Sequence, residues 1–305
     1  MAILVVDDKF DRGVLAGASC AFGVFDGLHL GHRFLLDEAM RTAGADGRSL
    51  AITFDIDPDE IFHPDRLKKL MRNADRLAAL GASGVDDVVV LPFTEEFRSR
   101  DPEAFLASAF PTGAPAHLHV GEDFRFGARA AGTVDTLRAW ASGVGCEVHA
   151  HSLVSADGKP ISSTRIRLLL LEHDIDEATR LLGHPYTLRE TVRPGRGDGI
   201  DFGFATANLL LKPHDRVLDE GVYAAYAIVD GKRYKAAVSV GVSPTFEATS
   251  TANMEVHILD FSGDLVGRDI TVEFMAYLRE MRKFESTEEL IAVVEGNIAQ
   301  VREML

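Results

Sequence analysis

A chain of 305 residues is about twice the usual domain length, so two domains with separate cores are expected. Its formal net charge of −15 argues against nucleic acid or an anionic membrane surface as a partner, because either needs a basic face to neutralise phosphates. The only cysteines, Cys20 and Cys146, exclude a disulfide framework or a cysteine zinc site. No stretch has the make-up of a signal peptide or a membrane span, so the expectation is a cytoplasmic protein, monomeric or weakly homo-oligomeric, acting on small molecules.

The first informative elements are a β-prone run from Ser19 to Phe25 and a helical pattern from His32 to Ala43, with Phe34, Leu35, Ala39 and Met40 at helical intervals. Between them lies Gly23-Val-Phe-Asp-Gly-Leu-His-Leu-Gly-His32. At such a strand-to-helix turn, backbone free of side chains approaches phosphates and the first free N–H groups of the helix point at them. His29 and His32 are one turn apart and can face the same phosphate, stabilising charge that grows as pyrophosphate leaves; this predicts an ATP site for nucleotidyl transfer.

Strands predicted at Ser49–Phe54, Asp87–Phe93, His117–Val120 and Glu147–Val154 alternate with helices at Asp75–Leu80, Pro102–Ala109 and Val134–Ala141, the rhythm of a parallel sheet with crossover helices. The loop Val120-Gly-Glu-Asp-Phe-Arg-Phe-Gly127 offers Asp123, Phe124 and Phe126, which could meet a flat heterocycle by stacking and hydrogen bonding, or serve packing alone. Ile161-Ser-Ser-Thr-Arg-Ile-Arg167 sets hydroxyls and arginines at a helix start, suited to a triphosphate or to simple capping.

After His184-Pro185 the predicted strands are Thr187–Val192, Phe204–Leu209, Val222–Val229, Lys232–Val240, Met254–Leu259 and Ile270–Phe274, with no intervening helices, which suggests a small antiparallel barrel. Asp230-Gly231 signals a type I′ hairpin, and Ser286 with Glu289 opens a helix running from Thr287 to Leu305. In Gly203-Phe-Ala-Thr-Ala-Asn-Leu209, Thr206 and Asn208 share a strand face and offer hard oxygen donors for magnesium or phosphate. Glu255 lies on the His257 face of its strand; pointing into the barrel it could act as a general base, and otherwise it is a salt-bridge residue. No P-loop string occurs.

The ten-residue string Gly23–His32 resembles the signature of cytidylyltransferase-like nucleotidyltransferases, and with residues 120–127 and 161–167 in the same order the chain resembles the bacterial bifunctional riboflavin kinase/FAD synthetases. Gly-Phe-Ala-Thr-Ala-Asn and Glu-Val-His-Ile-Leu-Asp-Phe are similar to riboflavin kinase strings, as are Gly221-Val-Tyr223, Pro244-Thr-Phe246 and Arg282-Lys-Phe284. The resemblance implies a Rossmann-like α/β FMN adenylyltransferase domain over residues 1–183 and a β-barrel riboflavin kinase domain with a C-terminal helix over 184–305. It implies ATP and Mg2+, with riboflavin, FMN and FAD as substrates and products. Gly23, Phe25, Asp26, His29, Gly31, His32, Ser163, Thr164 and Arg165 would hold the adenylyltransferase ATP, with His29 and His32 catalytic, and Asp123, Phe124 and Phe126 the flavin. Gly203, Thr206 and Asn208 would hold the kinase nucleotide, Thr206 and Asn208 its metal, and Glu255 would be the base.

The sequence departs from the family pattern at Asp57, where a histidine is usual, and at Ile200, Ala205, Ser239 and Ser243 in the second half. A FAD synthetase with an impaired kinase half and a non-catalytic flavin-binding protein therefore stand as alternatives.

Overall fold

The structure is a computed structural model that describes residues 2–6, 12–63, 68–110, 113–195, 204–211, 217–241 and 252–305. The chain divides into two compact units, Met1–Leu67 with Arg72–Ser162, and Lys68–Met71 with Ser163–Leu305. Among the described residues no helix is long and apolar enough to cross a membrane.

The first unit contains β1 (Ile3–Val5), β2 (Ser19–Phe22), α1 (Leu30–Ala43), β3 (Ser49–Phe54), α2 (Asp59–Phe62), α3 (Asn73–Gly81), β4 (Asp87–Leu91), α4 (Glu95–Arg98), α5 (Pro102–Ala109), β5 (His117–Gly121), α6 (Val134–Val144), β6 (Glu147–His151) and the short pair β7 (Ser155–Ala156) and β8 (Lys159–Pro160). Its sheet is six-stranded in the order β1-β4-β3-β2-β5-β6, with every pairing parallel. The central strands read as continuous apolar runs because both faces are covered. Ala21, Ala51, Val88 and Val90 pack with Leu36 and Ala39 of α1 and Leu80 of α3. Phe22, Ile52, Val89 and Leu118 pack on the other face with Phe105 and Leu106 of α5 and Leu137 of α6. The strand order reverses between β2 and β5, and the Gly23–His32 turn leaves the carboxyl end of β2 at that point, where open α/β sheets bind ligands.

The second unit opens with α7 (Ser163–Leu171) and α8 (Ile175–Leu182) and continues into β9 (Tyr186–Arg193), β10 (Ala207–Leu211), β11 (Gly221–Val229), β12 (Lys232–Gly241), β13 (Ala252–Ile258), β14 (Asp269–Arg279) and α9 (Thr287–Met304). The six strands close a barrel in the order β10-β13-β12-β11-β14-β9, all antiparallel. The Asp230-Gly231 loop has positive φ at both residues, 48° and 76°, as a type I′ turn requires. Ser286 caps α9 by accepting the Glu289 N–H at 3.1 Å, while the Glu289 carboxylate takes the N–H of Glu285 rather than that of Ser286. His173, between α7 and α8, stacks on Tyr277 at 3.9 Å and meets the Tyr223 hydroxyl at 3.0 Å, tying this helical pair to β11 and β14.

Two expectations about the barrel are corrected. The strand predicted from Phe204 begins only at Ala207. The Ala205 and Thr206 carbonyls are taken by side chains instead of a ladder, His257 Nδ1 at 3.0 Å and Asn208 Nδ2 at 3.4 Å. Glu255 does not point into the barrel: Met254, Val256 and Ile258 fill the interior, and the alternation of β13 turns Glu255 and His257 outward.

Candidate active sites

In the first unit the turn after β2 is wound by three left-handed residues, Phe25 (φ 62°), Gly27 (φ 80°) and Leu28 (φ 41°). Left-handed backbone at two non-glycine residues costs energy and marks a constrained site. His29 is the N-cap of α1, its Nδ1 accepting the His32 N–H at 3.3 Å. The two imidazoles stack, centroids 3.6 Å apart and planes 15° from parallel. Gly31 makes this possible, because a Cβ there would sit 3.2 Å from the His29 ring. Ile161 closes on the same place, its carbonyl oxygen 3.6 Å from that Cβ position. His32 is held well below the ordinary imidazole pKa by burial first, then by His29 and by Arg76, so at neutral pH it is uncharged. Its Nδ1 is buried with no hydrogen-bond partner.

The residue that sequence reasoning missed is Arg76. It is 1 % exposed, and its guanidinium donates to the Val24 carbonyl at 2.8 Å, Thr53 Oγ1 at 2.7 Å and the Phe54 carbonyl at 2.8 Å, bracing the carboxyl ends of β2 and β3 under the turn. Asp57 and then Asp26 contribute most to its compensating negative field. Asp57 also accepts the Asp59 N–H at 2.9 Å while Glu60 accepts the Asp57 N–H at 3.1 Å, a capping arrangement for α2. A signal for Arg76 was present: it stands four residues before Leu80, on the buried stripe of α3.

The rings of Phe25 and Phe126 both pack inside the first unit. Phe25 is fully buried and set edge-on to His32 at 5.3 Å, so its ring supports the histidines. Phe126 belongs to the core, 5.3 Å from Phe105 and against Gly132, where a Cβ would lie 2.7 Å from its ring. Phe124 is half-buried, 5.2 Å from Phe22, and Asp123 is exposed beyond β5. Ser163, Thr164 and Arg165 open α7 and fall in the second unit, where Arg165 is bound to Glu177 at 2.9 Å and Glu177 in turn to Arg180 at 2.6 Å.

In the second unit Thr206 stands between two cavities. One, of about 300 Å³, is lined by Thr206, Glu255, Ser239, Arg279 and Arg282 and is covered by α9 residues such as Ile291. The other, of about 590 Å³, is lined by Thr206 and Asn208 together with Gly195 and the 261–266 segment. Glu255 pairs across the ladder with Asn208 on one side and Ser239 on the other. Gly195 lies directly under the Asn208 amide; a Cβ there would fall 2.1 Å from Nδ2. The structure therefore brings Thr206, Asn208 and Glu255 into one locality. Gly203, Ile200, Ser243 and Pro244–Phe246 lie outside the described residues.

Two family models divide the chain between them: FAD synthetase matches residues 12–165 and riboflavin kinase residues 182–305. The chain is 35% identical over 288 residues to the bifunctional riboflavin kinase/FMN adenylyltransferase of Pseudomonas fluorescens, spanning 94% of this chain and 92% of the relative. It belongs to the bifunctional riboflavin kinase/FMN adenylyltransferase family. The Bacillus subtilis member is 32% identical over 90% of this chain and 88% of its own. A Streptococcus pneumoniae crystal structure described as a macrolide-efflux protein has the same fold, with a TM-score of 0.83, 28% identity and 98% of each chain covered.

Proposed function

We propose that the protein makes FAD from riboflavin in two steps, with FMN production in the barrel preceding adenylylation at the β2–α1 turn. The observation that carries the reading is the coexistence of two donor sets, the stacked His29–His32 pair at a helix start and the Thr206, Asn208 and Glu255 group around two cavities. Binding flavin alone requires neither a base beside a cavity nor an imidazole pair at a helix N-terminus. The functional boundary we propose is 1–183 and 184–305, supported by family matches that stop at 165 and resume at 182.

In the kinase step Glu255 accepts the proton of the riboflavin 5′-hydroxyl as its oxygen attacks the γ-phosphorus of ATP and the bond to ADP breaks. Thr206 and the Asn208 carboxamide, set over Gly195, are hard oxygen donors that suit Mg2+, and the ion when bound neutralises charge on the nucleotide phosphates. In the adenylyl step an FMN phosphate oxygen attacks the α-phosphorus of ATP and pyrophosphate departs. The α1 N-terminus and the neutral imidazole of His32 meet the charge that grows on the departing group. Gly23, Asp26 and Gly31 shape the turn, Ser163, Thr164 and Arg165 supply further phosphate partners, and Asp123 with Phe124 attends the flavin. The protein acts in the cytoplasm as a monomer or weak homo-oligomer, without nucleic acid or membrane.

Purified protein incubated with riboflavin, ATP and Mg2+ should yield FMN and then FAD by chromatography. FAD from supplied FMN but no FMN from riboflavin would mean that the kinase half is impaired, an outcome to which Ser239 beside Glu255 directs attention.

A further inference from the structure

Away from both sites, the edge of the first unit's sheet carries four imidazoles on one face. His117 and His119 alternate on β5, and His149 and His151 on β6, so that all four stand on the side covered by α1. They meet in diagonal pairs, His117 Nδ1 to His149 Nε2 at 3.1 Å and His119 Nδ1 to His151 Nε2 at 2.9 Å. Each pair has a carboxylate within ligand range, Glu147 for the outer pair and Glu38 for the inner.

The outer triad is the better formed. Glu147 spans the two rings with its two oxygens, Oε2 3.4 Å from His117 Nδ1 and Oε1 3.8 Å from His149 Nε2, and those ring nitrogens are themselves 3.1 Å apart. Ligands at 2.0–2.1 Å from a tetrahedral zinc ion stand about 3.3 Å from one another, and the spacings of 3.1, 3.4 and 3.8 Å between the two rings and the carboxylate are close to that. A single shared proton can satisfy only the nitrogen pair; a cation satisfies all three groups. The inner triad repeats the donor types, but its Glu38 is already held by Arg41 at 2.7 and 3.0 Å.

The inner residues instead fix the outer ligands. Thr42 Oγ1 is hydrogen-bonded to the Glu38 carbonyl at 2.9 Å, to Ser19 Oγ at 2.6 Å and to His119 Nε2 at 2.8 Å. The orientation of His119 is thereby set, and it stacks on His149 at 4.5 Å with planes 11° apart, holding that ring in place. Ligands braced through ring contacts and hydrogen bonds to a surrounding shell are the usual support of a built metal site.

We propose that His117, His149 and Glu147 bind a divalent transition-metal ion of the zinc class, stapling the edge strand β6 to β5. Imidazole with carboxylate selects such ions over Mg2+, which prefers oxygen ligands, so this ion is distinct from the magnesium of catalysis. With only three protein ligands, a fourth position stays open to water.

The test uses untagged, chelator-stripped, full-length protein without nucleotide or flavin, titrated with Co2+ by visible absorption and with Zn2+ against a chromophoric chelator. One equivalent should bind saturably, millimolar Mg2+ should not displace it, and Zn2+ should raise the thermal midpoint. Glu147→Gln and His149→Gln should each weaken binding by at least about tenfold and abolish the thermal shift. The Glu147 side chain is 66% exposed, so its replacement leaves the core intact. Absence of saturable binding in the wild type would overturn the proposal. So would binding that survives Glu147→Gln and is lost in a His29→Ala/His32→Ala double variant, because the ion would then belong to the nucleotide site.

Discussion

The two candidate sites handle the same co-substrate with opposite architectures. The turn after β2 is built from the inside: strained backbone at Phe25 and Leu28, a buried guanidinium bonded to the ends of two strands, and histidines stacked on each other. The barrel site is built on the outside, where β10 has not yet begun its ladder and side chains hold the carbonyls of Ala205 and Thr206. Rigid, buried donors suit stabilisation of charge on a leaving pyrophosphate, which gains from preorganisation. A carboxylate in an open cavity suits removal of a proton from a hydroxyl that must enter and leave.

This contrast can be broken most forcefully at Glu255. Glu255→Gln keeps the shape but cannot take the hydroxyl proton, so riboflavin phosphorylation should fall by roughly two to four orders of magnitude while FAD synthesis from FMN is unchanged. Near-normal FMN production would make this carboxylate structural. At the other site, His29→Ala or His32→Ala should lower FAD formation at least about tenfold with little effect on FMN production. Equal loss of both activities would show that the histidines serve the fold.

Gly195→Ala sharpens the comparison, since its Cβ collides only with the end of the Asn208 side chain and can push it aside without unfolding the barrel. The KM of the kinase reaction for ATP should rise several-fold, with the adenylyltransferase and the thermal midpoint unaffected. The smallest effect concerns pH. Folding holds His32 well below its ordinary pKa of 6.5, so the native state resists a proton that the unfolded chain accepts. Its share of stability is therefore present above pH 6.5 and lost as pH falls below it. Thermal midpoints of His32→Gln should decline less steeply than wild type below that pH; parallel curves would mean that the ring is not desolvated.

Much of the fold was legible from periodicity alone. β3 and α5 run over the residues predicted for them, and the Asp230-Gly231 turn forms as its dihedral demands require. The histidine turn was legible because spacing and glycine content are local properties. What escaped depends on tertiary partners. Arg76 looks like a surface cation until the carbonyls of Val24 and Phe54 are brought to it. Phe126 looks like a stacking platform until Phe105 and Gly132 close around it. Alternation correctly put Glu255 opposite Met254 and Val256, but which of the two faces fills the barrel is settled only when the barrel closes.

That the two reactions run at separate sites, with FMN passing from one to the other through solution, is tested most directly by mixing two variants each defective in one step. Glu255→Gln and His32→Ala proteins, each supplied with riboflavin, ATP and Mg2+, should make little FAD alone. Mixed in equal amounts they should restore FAD synthesis, because the His32→Ala protein releases FMN that the Glu255→Gln protein adenylylates. A mixture as poor as its components would contradict the account.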